Sequence, residues 1–324
     1  MRGSVRKGNA RRRTNAMGGK DRQIVNRKSS IVDAEGFTLV ELLVVIGVLA
    51  LSMGVLVPAL NQARRTARSL VGASRQRQIV LAANLYATDH EGWYPESTAT
   101  AAMLGRTWRW QEPRMIKACT ARADGYRCSM AGYLRYYLPN AKVLSCPSSP
   151  AAYPYQKDLW RAGDAWDNPD TAYTDDHVLG SYCLFWNYVG CLTEQDRPFL
   201  GPQTDDGRSR GGTLLVADYF GFNNWRSPES FGSCEHLPRA EATKETCEAA
   251  AYWFVGSKGE PDRMGVNVKL RAGFVDGHVE AYGPDATVVL EVADDLDGTS
   301  PAVSGFGLGA GQFFIPANGV APRP

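Results

Sequence analysis

One carboxylate, Glu41, opens a stretch of chain that then carries no charge until Arg64. A carboxylate within an apolar helix is costly, so Glu41 points to one of two things. Either a partner brings an opposite charge, or the residue sits at an interface and snorkels to water. Seven cysteines (Cys119, Cys128, Cys146, Cys183, Cys191, Cys234 and Cys247) could close disulfides in an oxidising compartment or act as metal ligands. Close neighbours suggest local bridges Cys119–Cys128, Cys183–Cys191 and Cys234–Cys247, with Cys146 left over, although six cysteines admit many connectivities. Cys234, His236 and Cys247 form an alternative zinc set that no Cys-x-x-Cys pair supports. Asp294, Asp295 and Asp297 place three carboxylates just before Gly298. None of the four histidines (His90, His177, His236, His278) lies beside a nucleophile elbow, a His-Glu-x-x-His zinc motif or a phosphate-cradling glycine loop. Nothing in the sequence therefore recommends an enzyme.

The elements that must position these groups follow from patterning. With 324 residues and 44% hydrophobic content, the chain can bury a core in one large domain or two ordinary ones. Its 36 Lys+Arg against 34 Asp+Glu give a formal charge of +2, which argues against a dedicated nucleic-acid binder. The charge is unevenly placed. Residues 1–36 hold ten basic and three acidic side chains, leaving 26 basic and 31 acidic in the remainder. Next comes Phe37–Leu60, 24 residues, long enough to cross a hydrocarbon core of about 30 Å as one helix. The run leads into more helix instead of a small-residue cleavage site, unlike a secretory signal peptide, and Arg11–Arg13 lies too far upstream for a twin-arginine signal. Within twenty residues of the span, basic residues number four before it and five after it. Only the whole leader, and the exposure of the cysteines to an oxidising side, favour an N-inside orientation.

Residues 61–92 read as a continuation of that helix, with Ala63, Ala67, Leu70, Val71, Ser74, Gln78, Leu81, Ala82 and Leu85 as a stripe able to dock on a globular head. Pro58 should kink or locally melt the helix, unless it marks the membrane exit. Glu91-Gly92-Trp93-Tyr94-Pro95 should end it. Residues 93–324 read as a β-rich α+β head. Short apolar runs at Ser181–Val189, Thr213–Phe220 and Lys269–Val275 are candidate strands, and residues 150–176 and 221–265 are candidate surface loops. Asp276-Gly277 between two strand-like runs suggests a type I′ hairpin turn, with His278 as the first residue of the second strand. The Gly/Pro-rich end, Ser300–Pro324, is expected to fray.

Gly36-Phe37-Thr38-Leu39-Val40-Glu41, set between a basic leader and a long apolar helix, resembles the processing site of type IV prepilins and type II secretion pseudopilins. That resemblance implies a peptidase cut between Gly36 and Phe37, removing the leader, and N-methylation of Phe37. It makes Glu41 the assembly carboxylate, pairing with the Phe37 amine of a neighbouring subunit, and it puts Pro58 where pilin helices commonly kink. Gly47, Ala50 and Gly54 would form a small-residue seam for helix packing. It also implies a pilin-like fold: a long transmembrane helix running into a periplasmic head, anchored in the cytoplasmic membrane with its N-terminus inside. The implied partners are a prepilin peptidase and other pseudopilin subunits.

Major pseudopilins bind calcium in a C-terminal loop. The segment around Asp294, Asp295 and Asp297 is similar in composition only, and a solvated turn accounts for it better. Tyr86–Pro95, Val143–Pro147, Ser181-Tyr182 and Phe274–Val279 look like a large prepilin-like family of planctomycete-type bacteria. Val266 stands where that family usually carries a histidine. The expected work is structural, in a type II secretion pseudopilus or a type IV pilus-like fibre. The alternative is a membrane-tethered periplasmic binding module or enzyme that uses a pilin-type export signal. Met17 as start would give a leader nearer the usual prepilin length. After cleavage the chain would carry a net charge of −5.

Overall fold

The computed structural model describes residues 38–100, 112–117, 129–147, 178–206, 211–223, 270–283, 286–302 and 311–320. The chain divides into two compact units, Met1–Val55 and Leu56–Pro324. The leader with Gly36 and Phe37, four of the cysteines (Cys119, Cys128, Cys234, Cys247), His177, His236 and Val266 lie outside the described residues.

Helix α1 runs Leu39–Asp89, 51 residues, or about 76 Å of helix at 1.5 Å per residue. Pro58 lies inside it and the chain stays helical on both sides. The missing proline N–H removes a single bond, and the flanking ladder holds, so the expected local melting does not occur. The C-terminus closes where the sequence places it. The Gly92 N–H bonds the Ala87 carbonyl at 2.8 Å, and Glu91 takes the left-handed conformation at φ 56°. This is a Schellman closure in which glutamate occupies the position usually held by glycine.

Eleven strands and a second helix follow among the described residues: β1 (Met115–Lys117), α2 (Met130–Leu134), β2 (Val178–Leu179), β3 (Tyr182–Leu184), β4 (Val189–Leu192), β5 (Arg197–Leu200), β6 (Leu214–Asp218), β7 (Gly221–Asn223), β8 (Leu270–Phe274), β9 (Val279–Tyr282), β10 (Thr287–Val292) and β11 (Gly311–Pro316). They form a five-stranded sheet, β5-β4-β10-β11-β7, a four-stranded sheet, β3-β6-β8-β9, and the pair β1-β2. All pairings are antiparallel. The fold is α+β.

Strand alternation builds two cores on opposite faces of the four-stranded sheet. In β3, Cys183 joins the core shared with the five-stranded sheet, while Tyr182 and Leu184 join the core under α1. In β8, Leu270, Ala272 and Phe274 face the other sheet. Arg271 and Gly273 face the helix, touching Ser69 and Val80 respectively. The head is therefore three layers deep: the C-terminal part of α1, the four-stranded sheet, then the five-stranded sheet.

Two further expectations are corrected here. Of the stripe Ala63–Leu85, Ala82 alone is buried. The docked face is instead Ser69, Gly72, Gln76, Ile79, Val80, Ala82, Ala83 and Ala87. Five of these eight residues are small, and β8 comes close at Val80: a Cβ on Gly273 would lie 2.7 Å from Val80 Cγ2. The larger leucines at 70, 81 and 85 face outward, each at least 45% exposed. The C-terminal tail is not frayed throughout, since the apolar run Phe313-Phe314-Ile315 makes β11 an inner strand between β10 and β7.

The hairpin β8–β9 forms as expected, with Gly273 opposite Val279, but its turn is not type I′. The loop is three residues, Val275-Asp276-Gly277, with Phe274 N bonded to His278 O and Gly277 N to Phe274 O. Only Gly277 has positive φ, at 90°. This is a type I turn closed by a glycine bulge. Asp276, a central residue of the expected type I′ turn, keeps a negative φ where that turn requires a positive one.

Gly273→Val tests the close helix–sheet approach. The added carbons would meet Val80 and Val216, so denaturant unfolding should show a loss of about 1–3 kcal/mol. An unchanged midpoint would contradict this packing.

Candidate membrane anchor and assembly segment

Thr38 and Glu41 close the start of α1 on each other. The Thr38 N–H donates to Glu41 Oε2 at 2.9 Å, the Thr38 hydroxyl to the same oxygen at 2.7 Å, and the Glu41 N–H to Thr38 Oγ1 at 3.2 Å. This reciprocal capping box satisfies donors at a helix start that otherwise lack partners. The carboxylate also meets the positive end of the helix dipole. Glu41 is thus held by its own chain, at the mouth of a helix with no other acid before Asp89.

Between Leu39 and Leu60 the large apolar side chains stand exposed, from 45% at Val45 and Leu60 to 80% at Leu39. A helix apolar on every side belongs in lipid or against other helices, and α1 is long and apolar enough to span a bilayer. At Gly47 and Gly54 an added Cβ would meet nothing within 4 Å, so the small-residue seam is open and unfilled by this chain. The protein is a single-pass, membrane-anchored chain.

The remaining candidates are not brought together. Cys183 and Cys191 are buried free thiols, which corrects the expected bridge. The chain turns at Phe185–Tyr188 and carries β4 into the other sheet, so the eight-residue spacing crosses between layers. Cys146 is also buried, and its N–H bonds Ser181 Oγ. Burial pushes the Cys183 thiol well up, against the pull of Arg114. That arginine is itself buried, paired with Glu112 at 2.7 Å and lying 4.5 Å over the Tyr219 ring. Burial, with Asp295 and Glu291 nearby, pushes Cys191 up to about 11.

Asp294, Asp295 and Asp297 do not converge. Among the described residues no three His, Cys, Asp or Glu side chains are placed to share a metal ion. Asp295 is engaged within its own turn, accepting from Thr299 N at 3.0 Å and Thr299 Oγ1 at 2.7 Å. Burial acts to raise its carboxyl, but these hydrogen bonds prevail and hold it below the ordinary range. The segment is a self-closed turn, with Asp294 N bonded to Ser300 O. At the hairpin, His278 Nδ1 lies 2.5 Å from Asp276 Oδ1, a local contact across an exposed turn. The zinc set of Cys234, His236 and Cys247 lies outside the described residues.

Two positioning groups are absent from the expectations. Thr38 was legible, since Thr-x-x-Glu before an apolar run is a capping-box pattern. The latch that seats α1 was not. Gln76 Nε2 donates to Asp218 Oδ1 at 2.9 Å, Arg271 N to Asp218 Oδ2 at 2.9 Å, and Arg271 Nη1 to the Ser69 carbonyl at 2.9 Å. These residues lie far apart in sequence, and no local spacing connects them.

Residues 33–57 match the family model of the prokaryotic N-terminal methylation motif. No curated protein and no solved structure matches the chain.

The thiols give a prediction. At a pKa of about 11, roughly one Cys191 in a thousand is thiolate at pH 8. Iodoacetamide at that pH should leave Cys183 and Cys191 unlabelled in native protein and label both in denaturant. A folded pKa above the ordinary 9.0 means that the folded state holds the proton more tightly. Stability should therefore stay level below about pH 9 and fall as pH rises toward 11. Rapid native labelling at pH 8, or a Cys183–Cys191 peptide in a non-reducing map, would refute this placement.

Proposed function

From the premise that this chain is prepilin-like and processed by a prepilin peptidase, we propose that it is a structural subunit of a type II secretion pseudopilus or a type IV pilus-like fibre. In this reading its α+β head stands in the periplasm and α1 is anchored in the cytoplasmic membrane. One observation carries the reading: the methylation motif coincides with a long apolar run whose lone carboxylate, Glu41, is the fifth residue after the Gly36–Phe37 bond.

Cleavage after Gly36 frees an amine at Phe37, and methylation leaves its charge in place. A carboxylate and an amine in hydrocarbon attract strongly when paired and are costly when apart. Glu41 of one subunit, released from Thr38, can neutralise the Phe37 amine of its neighbour. That exchange rewards a single axial register, which apolar side chains alone do not specify. The open seam at Gly47, Ala50 and Gly54 lets neighbouring backbones approach. The role is assembly, not catalysis.

Glu41→Ala separates assembly from tethering. The variant should enter the membrane and be processed normally, while the sheared filament fraction falls by roughly tenfold or more. Assembly at the normal level would favour a tethered module instead. Intact mass of the purified protein should begin at N-methyl-Phe37, and an unprocessed N-terminus would remove the premise.

A further inference from the structure

Asn61, Arg64, Arg65 and Arg68 recur at i, i+3, i+4 and i+7 and so share one face of α1. Asn61, Arg64 and Arg65 are exposed and Arg68 is half-buried. Leu60, Ala63, Ala67 and Leu70, on the adjoining side of the helix, are apolar and also exposed. Among the described residues none of the three arginines forms an ion pair, and α1 carries no acid between Glu41 and Asp89. Other arginines of the head are engaged: Arg75 donates to the Ser145 carbonyl at 2.5 Å, and Arg271 to Ser69 at 2.9 Å.

Position along the helix identifies the counter-charge. Arg64 lies about 6 Å and Arg68 about 12 Å beyond Leu60 at 1.5 Å per residue. The polar layer of a bilayer is roughly 5–8 Å deep on each side, and an arginine stem lets its head travel several ångströms along the helix. All three guanidinium groups therefore reach the depth of lipid phosphates. The guanidinium fork matches phosphate oxygens in a bidentate way, and the adjacent Asn61 amide adds a donor.

We infer that Asn61, Arg64, Arg65 and Arg68 form a collar that binds the phosphates of anionic phospholipid headgroups where α1 leaves the bilayer. The collar fixes how deeply the anchor sits, because withdrawing the helix strips three arginines of their phosphates at once. The inference rests on the membrane anchoring of α1 and not on assembly into a fibre, so its fate is independent of the Glu41 result.

The test uses the full chain in nanodiscs of phosphatidylcholine with a minority of phosphatidylglycerol, released into native mass spectrometry to count retained lipids. The wild type should retain phosphatidylglycerol over phosphatidylcholine by about tenfold or more. The combined Arg64→Gln, Arg65→Gln and Arg68→Gln variant should lose that preference with unchanged circular dichroism, and the corresponding lysine variant should keep part of it. Arg77→Gln, about 25 Å beyond Leu60, should behave as wild type. The collar is refuted by any of four results: a wild type without preference, a glutamine variant that keeps it, displacement of the lipid by inorganic phosphate at equal concentration, or a glutamine variant whose only change is loss of a dimer. The last would assign the arginines to acids of a second copy.

Discussion

A helix that is apolar on every side has no stable place in water, and α1 begins as such a helix and ends as part of a water-facing head. The two requirements are met by changing what the side chains do along one continuous backbone. Over its first turns every large side chain faces outward, and the backbone bonds are closed internally, as a hydrocarbon surround demands. From Ser69 onward one face turns to small residues and seats on the four-stranded sheet. Polar bonds help to place the sheet against this segment of the helix: Asn84 Nδ2 donates to the Val275 carbonyl at 2.9 Å and Arg271 Nη1 to the Ser69 carbonyl at 2.9 Å. The buried Gln76–Asp218–Arg271 latch therefore acts as a register pin as well as a source of stability. Sliding α1 by one residue would leave the Asp218 carboxylate short of a donor in a dry layer, which costs more than the bond itself contributes.

What the sequence made legible was whatever is encoded locally. The charge-free run, the break at Glu91–Pro95 and the Asp276-Gly277 reversal each rest on neighbouring residues, and each is found in the fold. The docking face of α1 was misread for a physical reason. Leu70, Leu81 and Leu85 are the more apolar stripe, but they stand exposed, and the buried face holds the smaller Gly72, Ala82, Ala83 and Ala87. Apolarity ranks faces by transfer free energy, whereas a tight interface ranks them by volume. The tail was misread similarly, because the composition of residues 300–324 averages over the apolar core of β11.

The candidate site was legible in its residues but not in its geometry. Glu41 and the seam can be picked out from spacing, as could Thr38. The three aspartates and the Cys183–Cys191 pair looked equally suggestive, yet proximity in sequence does not bring those groups to one place. Asp295 turns to Thr299, and the two cysteines are taken into different sheets. Sequence spacing measures reach only within one helix, strand or turn; across a chain reversal it stops being a ruler.

Those two thiols bear on how the head comes to be folded. Cys183 is packed in the core between the sheets and Cys191 is buried in the five-stranded sheet, so the cohesion of that region comes from packing and needs no oxidant. A thiol oxidase acting on the folded head would find neither sulfur accessible. Acting on the unfolded chain, it could join them only by tying together strands destined for different sheets. For this pair, oxidation is a hazard of the interval before folding, which ends once β3 and β4 are buried in their separate sheets.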